Sequence, residues 1–272
     1  MQKILENTRI KQLFLIGSLL LLTNCNEEVP PPPEEDKSDY HNVNRFIAHA
    51  GGMIDGHLYT NSLEALNYSY EKGFKLFEID FLKTSDDKIV AAHDWDSWKE
   101  KTGFTGDIPP TLEQFQSELI FDKYTPMNMQ DVNKWFEEHS DAILVTDKIN
   151  SPKEFTSKFI DNSRLKMELF TEEAIEEAIQ IDPKIVMISQ SAIYDIGFGN
   201  ILEYVQEHKI ETIAISRKKV LKKAKYLLEL KKEGVRTYVY HVNSEGKNEK
   251  YVFENEFPYV YGMYADSWDF KK

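Results

Sequence analysis

The chain has 272 residues, 41% hydrophobic and 29% charged, enough apolar material for one large core. With 46 acidic against 33 basic side chains its formal charge is −13, so it lacks the basic stripe that displaces counterions, which excludes nucleic acid as the expected partner. A single cysteine, Cys25, excludes internal disulfides, thiolate zinc clusters and CxxC redox chemistry, and any metal must be held by Asp, Glu, Asn or His.

Residues 1–24 carry Lys3, Arg9 and Lys11 ahead of an apolar run, 13–22, that is too short to span a bilayer and reads as a signal peptide. Leu22-Thr23-Asn24-Cys25 resembles a bacterial lipobox, which implies cleavage before Cys25 and lipidation there; Asn24 stands where a small residue is usual. An ordinary signal-peptidase cut and an uncleaved anchor are the alternatives. On the lipobox reading the protein is an exported lipoprotein, membrane-anchored outside the cytoplasm, and two or more acyl chains make that attachment stable. Residues 25–44, with four consecutive prolines, six acids and almost nothing apolar, cannot offset their ordering entropy by burial and are expected to form a disordered, extended spacer. The remaining segment, 45–272, carries about −10 and is expected to be one domain.

In that domain short β-rich runs alternate with stretches of helical period. Strands are expected at 45–50, 75–81, 142–148, 165–170, 184–189, 212–216, 236–242 and 259–265, with helices at 62–72, 128–139, 151–162, 171–181, 196–208 and 218–233. Eight β/α steps predict a (β/α)8 TIM barrel. An open doubly wound sheet is the alternative, but no GxGxxG or GxxxxGK[ST] follows any strand. One segment breaks the alternation: after the second strand comes a turn cluster, Ser85-Asp86-Asp87-Lys88, and at once Ile89-Val90-Ala91-Ala92-His93. A turn this short can only reverse the chain, which predicts an extra antiparallel return strand. Asp80 and His93 lie at similar distances on either side of the turn, so the return should set His93 beside the strand end carrying Asp80, at the rim where barrel active sites sit.

Around Ile79, Glu78 and Asp80 share one face by the period of two, and two adjacent carboxylates in a barrel interior need either a cation or a retained proton. His49 and Asp147 are polar residues at the ends of the first and third strands, and Gly51-Gly52 lets the chain turn tightly after His49.

These residues resemble a known family. Ile47-Ala48-His49-Ala50-Gly51-Gly52, Thr60-Asn61-Ser62-Leu63-Glu64-Ala65, Phe77-Glu78-Ile79-Asp80, Thr84-Ser85-Asp86-Asp87 and Val90-Ala91-Ala92-His93-Asp94 are together similar to the glycerophosphodiester phosphodiesterases, which belong to the barrel superfamily of phosphatidylinositol-type phospholipases C. Softer matches continue through Val145-Thr146-Asp147, 238–243 and 263–266. The resemblance implies that His49 and His93 are general acid and base and that Glu78, Asp80 and Asp147 hold one divalent cation, Ca²⁺ or Mg²⁺. It implies a hydrolase of lipid metabolism, acting on small-molecule glycerophosphodiesters or related headgroup phosphodiesters. The family's phosphate-reaching arginine is replaced by Ala50, for which Lys148 and Arg217 are candidate substitutes, and its usual lysine position is Ile149. The family's Glu-Asn-Thr reads Thr60-Asn61-Ser62, so only Asn61 matches fully, and Asp147 stands in place of the commoner Glu. These departures mark a divergent subgroup.

Several residues keep two readings. Asp147 is either a ligand or a cap of the following helix. Glu168 is either a further interior acid at the substrate site or a partner in an ion pair. Tyr240, His241, Asn243 and Asp266 are pocket candidates, His241 alternatively facing the helices, and Trp95, Trp98 and Trp268 either wall a headgroup site or simply pack. Two other functions stay open: a phospholipase C- or D-like enzyme on intact lipid or a phosphodiester polymer, and a non-catalytic surface binding protein on the same barrel. The pair His49 and His93 favours catalysis, because a binder has no use for both.

Overall fold

The computed structural model describes residues 29–32, 34 and 37–271. The signal peptide read at 1–24, the lipidation site Cys25 and much of the 25–44 spacer lie outside the described residues. Among the described residues no helix is long and apolar enough to cross a membrane.

In chain order the strands are β1 (Phe46–Ala48), β2 (Leu76–Lys83), β3 (Ile89–Ala91), β4 (Ile143–Asp147), β5 (Leu165–Leu169), β6 (Val186–Ile188), β7 (Thr212–Ser216), β8 (Arg236–Tyr240) and β9 (Gly262–Ala265). All but β3 run parallel in the order β1, β9, β8, β7, β6, β5, β4, β2, and β2 bonds back to β1, closing a TIM barrel. The helices are α1 (Leu63–Lys72), α2 (Trp95–Thr102), α3 (Leu112–Ser117), α4 (Met129–Glu138), α5 (Pro152–Thr156), α6 (Glu172–Ile181), α7 (Gln190–Ile196), α8 (Ile201–His208), α9 (Ala224–Lys232) and α10 (Glu249–Asn255).

The period of two along β2 sorts the barrel. Phe77 and Phe81 point outward, where their rings meet Trp135 of α4 and Phe155 of α5, each at 4.9 Å. Burying such a ring stabilises the fold by roughly 1.5–3 kcal/mol. Leu76, Glu78 and Asp80 point inward. Leu76 joins Ile47, Val145, Met187, Ala214 and Tyr238 in an apolar layer inside the barrel, while the acids stand above it, toward the C-terminal ends of the strands. Side-chain packing thus fills the lower interior and leaves the mouth to polar groups.

The predicted return strand is present as β3, with Phe81 opposite Ala91 and Lys83 opposite Ile89. The Ala92 N–H donates to the Asp80 carbonyl at 2.9 Å, so the next residue, His93, emerges over the strand end carrying Asp80.

The helical layer departs from the expected one in identifiable places. Short helices α2, α3 and α10, absent from the sequence reading, each open on a side-chain cap: Asp94 on Ser97 N–H, Thr111 in a capping box with Gln114, and Asn248 on Tyr251 N–H. The helix expected at 196–208 starts late, as α8, because Gly197 (φ 91°) ends α7, a helix absent from the sequence reading; that at 151–162 contracts to α5; and that at 218–233 begins as 3-10 turns before α9. At the other end, Lys37–His41 and Val43–Arg45 form 3-10 turns, and Tyr40 is buried edge-on against Phe253 and Phe257. The last third of the expected spacer therefore packs on the domain, because it carries the one large ring in that stretch.

Candidate active site

The mouth of the barrel holds a cavity of about 440 Å³ whose walls include His49, His93, Glu78, Asp147, Lys148 and Glu168. A larger cavity, about 620 Å³, opens on the far side of Asp266 near Tyr68 and Trp268 and brings no imidazole to its walls.

His49 follows β1 on a turn in which Ala50, Gly51 and Gly52 all have positive φ (49°, 81° and 91°). Gly52 is required twice over: its φ favours glycine, and a Cβ there would collide with Ser69 Oγ, which donates to the Gly51 carbonyl. The turn aims the Ala50 N–H at Glu78 Oε2, 2.6 Å away. Ala50 is fully buried, so the position where the resembling family carries arginine has become part of the floor under Glu78.

Both histidines are held the same way. His49 Nδ1 lies 2.9 Å from Asp266 Oδ1, and His93 Nδ1 lies 2.7 Å from Asp94 Oδ2. A carboxylate only accepts, so each Nδ1 carries the proton and each Nε2 keeps its lone pair in the neutral ring. Burial pushes the Asp94 pKa up, but hydrogen bonds from His93 and the Ser97 N–H outweigh it, and the carboxyl ends below its ordinary value.

Glu78 and Asp147 share the cavity wall with the imidazoles, and the charges of both rings reach Asp80. Glu78, Asp80 and Asp147 each offer an oxygen within 4.8 Å of the others. Glu78 and Asp80 are each 1% exposed. Asp80 is clamped by Asn61, whose Nδ2 donates to Asp80 Oδ2 (2.9 Å) while its Oδ1 accepts the Asp80 N–H (3.0 Å). Asp147 Oδ1 accepts the N–H of Lys148 (2.6 Å). Burial pushes Glu78 well above the ordinary carboxylate range, and the charges of Asp80 and Asp147 push it further. Asp80 is raised by burial and by Asp147, against the pull of His93 and Asn61. Glu78 Oε1 is buried and accepts no hydrogen bond among the described residues. Three converging carboxylates with an orphaned oxygen and no ammonium or guanidinium among their hydrogen-bond donors fit a hard divalent cation, whose preference is for oxygen ligands.

Glu168 also faces the cavity. Burial, then Asp147, pushes its pKa up to about 8, although Tyr264 OH donates to its Oε2 at 2.6 Å. Lys148 lines the same space, and its ammonium makes no ion pair among the described residues.

Three residues expected at the substrate lie elsewhere. Arg217 is buried, with Nη1 on Glu256 Oε1 (3.1 Å) and Nη2 on Glu245 Oε2 (2.9 Å). It is the counter-charge of a buried glutamate and is absent from the cavity wall. Asn243 donates to Asp266 Oδ2 (2.6 Å) and Glu249, which places it behind the His49 carboxylate. Asn61 likewise acts on Asp80 and not on the cavity. Trp98 packs with Phe104 and Phe115 in a satellite core under the long connection, and Trp268 stacks on Phe46.

Tyr59 and Tyr264 reach the cavity without having been singled out. Tyr59 immediately precedes the Thr60-Asn61-Ser62 motif, but its left-handed backbone (φ 55°) has no sequence signal. His241, read two ways from sequence, faces the cavity. Burial pushes its pKa down, and the charges of His49 and Lys218 add to that.

The fold and site together define a TIM barrel with an acid-rich mouth flanked by two carboxylate-backed histidines. No protein-family model and no curated protein matches the sequence. Solved structures that share this fold include glycerophosphodiester phosphodiesterases. The enzyme from Thermotoga maritima superposes with a TM-score of 0.64 at 16% identity, covering 82% of this chain and 94% of that one. One from Parabacteroides distasonis gives 0.63 at 17%, covering 87% and 90%. A phosphodiesterase from Oleispira antarctica, in complex with the product sn-glycerol-3-phosphate, gives 0.63 at 17%, covering 84% and 94%. At these identities the likeness establishes the fold.

Proposed function

We propose that the protein is a metal-dependent phosphodiester hydrolase acting on glycerophosphodiesters or related headgroup phosphodiesters. The observation that carries this reading is the pair of imidazoles, each with its Nδ1 on a carboxylate, that share a cavity at the mouth of the barrel with converging acids. The fold shared with glycerophosphodiester phosphodiesterases supports it.

Glu78, Asp80 and Asp147 would hold Ca²⁺ or Mg²⁺, and when bound the cation would supply the charge neutralisation that lets a phosphodiester anion enter an acidic cavity. One imidazole takes the proton of the attacking hydroxyl at its Nε2, and the other, entering as imidazolium, gives a proton to the departing alkoxide. Asp266 and Asp94 each stabilise the imidazolium form of the ring they hold. Lys148, without an ion-pair partner among the described residues, takes up phosphate oxygen charge where the buried Ala50 has none to offer.

The test is hydrolysis of a panel of glycerophosphodiesters by the full chain purified in detergent, with Ca²⁺, Mg²⁺ or chelator. Turnover that appears with the metal and stops with the chelator is expected. Binding without turnover of any member would favour a non-catalytic role. We also propose export and anchoring through lipidated Cys25, which rests on the sequence of 1–25; Cys25→Ser should abolish incorporation of labelled palmitate.

A further inference from the structure

His49 leaves β1 and His93 leaves β3, so the acid and the base are mounted on different elements. Each ring has a single hydrogen bond at Nδ1, which fixes its tautomer but leaves it free to pivot about that bond. Among the described residues one aromatic ring touches both. The ring of Tyr59 stands edge-on to His49 at 4.6 Å and 74°, and to His93 at 5.1 Å and 66°. We infer that Tyr59 is a positioning residue shared by both imidazoles, a wedge that sets the separation and tilt of acid and base, locked in place by Lys101.

The lock is visible in the backbone. Tyr59 sits at φ 55°, a conformation that costs a non-glycine residue on the order of 1 kcal/mol and persists only where surroundings impose it. Its carbonyl accepts Lys101 Nζ at 2.7 Å. Lys101 lies on α2, the helix that Asp94 caps while also holding His93. His93, Asp94, α2, Lys101 and Tyr59 therefore form a closed chain of contacts that returns to His93. Lys101 is half-buried, and burial lowers its pKa, so its ammonium is committed to this carbonyl at a desolvation cost. The Tyr59 hydroxyl makes no hydrogen bond among the described residues, so it is the ring that does the holding.

The role rests on the phosphodiesterase reading, and it is tested by two measurements on the full chain. The first is kinetic. Misplacing a reacting group by about 1 Å costs on the order of 100-fold in rate, so Tyr59→Leu should lower kcat by about 10- to 100-fold with KM changed less than about twofold. Tyr59→Phe should retain wild-type kcat, and Lys101→Met, which spares the ring but frees the loop, should fall between. The second is independent of turnover: imidazole nitrogen NMR signals of His49 and His93, single in the wild type and in Tyr59→Phe, should broaden or double in Tyr59→Leu. Should Tyr59→Leu not fold, Lys101→Met reads the same lock on both measurements. Unmoved imidazole signals in Tyr59→Leu, or a Phe variant as impaired as Leu, would overturn the inference. A wild type without turnover whose imidazole signals still respond to Tyr59 would instead sink the phosphodiesterase reading and leave the wedge standing.

Discussion

The two histidines have the same chemistry but opposite origins. His93 takes its carboxylate from the next residue, Asp94, on an exposed turn where that side chain is 46% open to solvent. His49 takes its carboxylate from Asp266, 217 residues away and only 12% exposed, itself held by Asn243. One mount is local and wet; the other is assembled by barrel closure and is drier. A hydrogen bond in the drier mount is electrostatically stronger, and its loss costs more. The largest effect comes from removing either ring: His49→Ala and His93→Ala should each lower kcat by about 10²- to 10⁴-fold, the usual range for removing a general acid or base, with unchanged circular dichroism. Wild-type-like hydrolysis in either variant would remove that residue from the mechanism.

The acidic triad is expected to be nearly as sensitive. Glu78→Gln should lose most activity and most of the stabilisation that metal provides. A ligand present at about a thousand times its Kd stabilises by about 4 kcal/mol, so differential scanning calorimetry with and without Ca²⁺ or Mg²⁺ separates wild type from variant. The same instrument reads a pH dependence. Glu168 titrates at about 8 in the fold against an ordinary 4.5, and Glu78 is shifted in the same direction. An acid whose folded pKa is raised costs nothing while it is protonated in both states, and it destabilises the fold as pH climbs from the unfolded value through the folded one. The metal-free protein should therefore lose stability between about pH 5 and pH 8, and added metal should restore more of it at the upper end. A flat profile would mean that these carboxylates are not strained.

The comparison sharpens when the two carboxylates are neutralised separately. Asp266→Asn and Asp94→Asn each keep the shape but replace an acceptor that stabilises imidazolium. Asp266→Asn should lower kcat about 100-fold and Asp94→Asn about tenfold, since water can replace part of the exposed partner. Asn caps helices as well as Asp does, so Asp94→Asn should leave α2 intact. Equal losses would mean that burial of the mount is irrelevant to its strength.

The same contrast separates what the sequence made legible from what it did not. Motifs within 45–94 act through neighbours in the chain: the alternation that faces Glu78 and Asp80 inward and the short turn that brings back His93. Each follows from strand period or turn length, so the pairing of β2 with β3 could be anticipated. Asp147 falls at a strand end by the same logic. Arg217 and Asn243 could not be placed that way, because their roles depend on buried partners, Glu256 and Asp266, that only packing brings near. Tyr59 was invisible for a third reason, a left-handed backbone at a residue that carries no preference for it. Helices α2, α3 and α10 escaped because they are too short for their period to emerge, although their caps are written plainly.

The smallest expected effect concerns the lysine at the mouth. Lys148 is exposed, so its attraction for a phosphate is screened and worth about 1 kcal/mol, which is roughly fivefold in affinity. Lys148→Met should raise KM by about that factor and leave kcat nearly unchanged, because the charge acts on bound and reacting phosphate alike. Lys148→Arg should restore KM, and raised salt should shrink the difference between Lys148→Met and wild type. Arg217→Met provides the counter-test. It leaves Glu256 buried without its partner, which costs about 3 kcal/mol of stability, yet KM for the folded protein should stay at the wild-type value. If the KM effect instead follows Arg217, phosphate reaches a part of the rim that the present arrangement closes, and the division between a polar mouth and its supporting ion pairs would have to be redrawn.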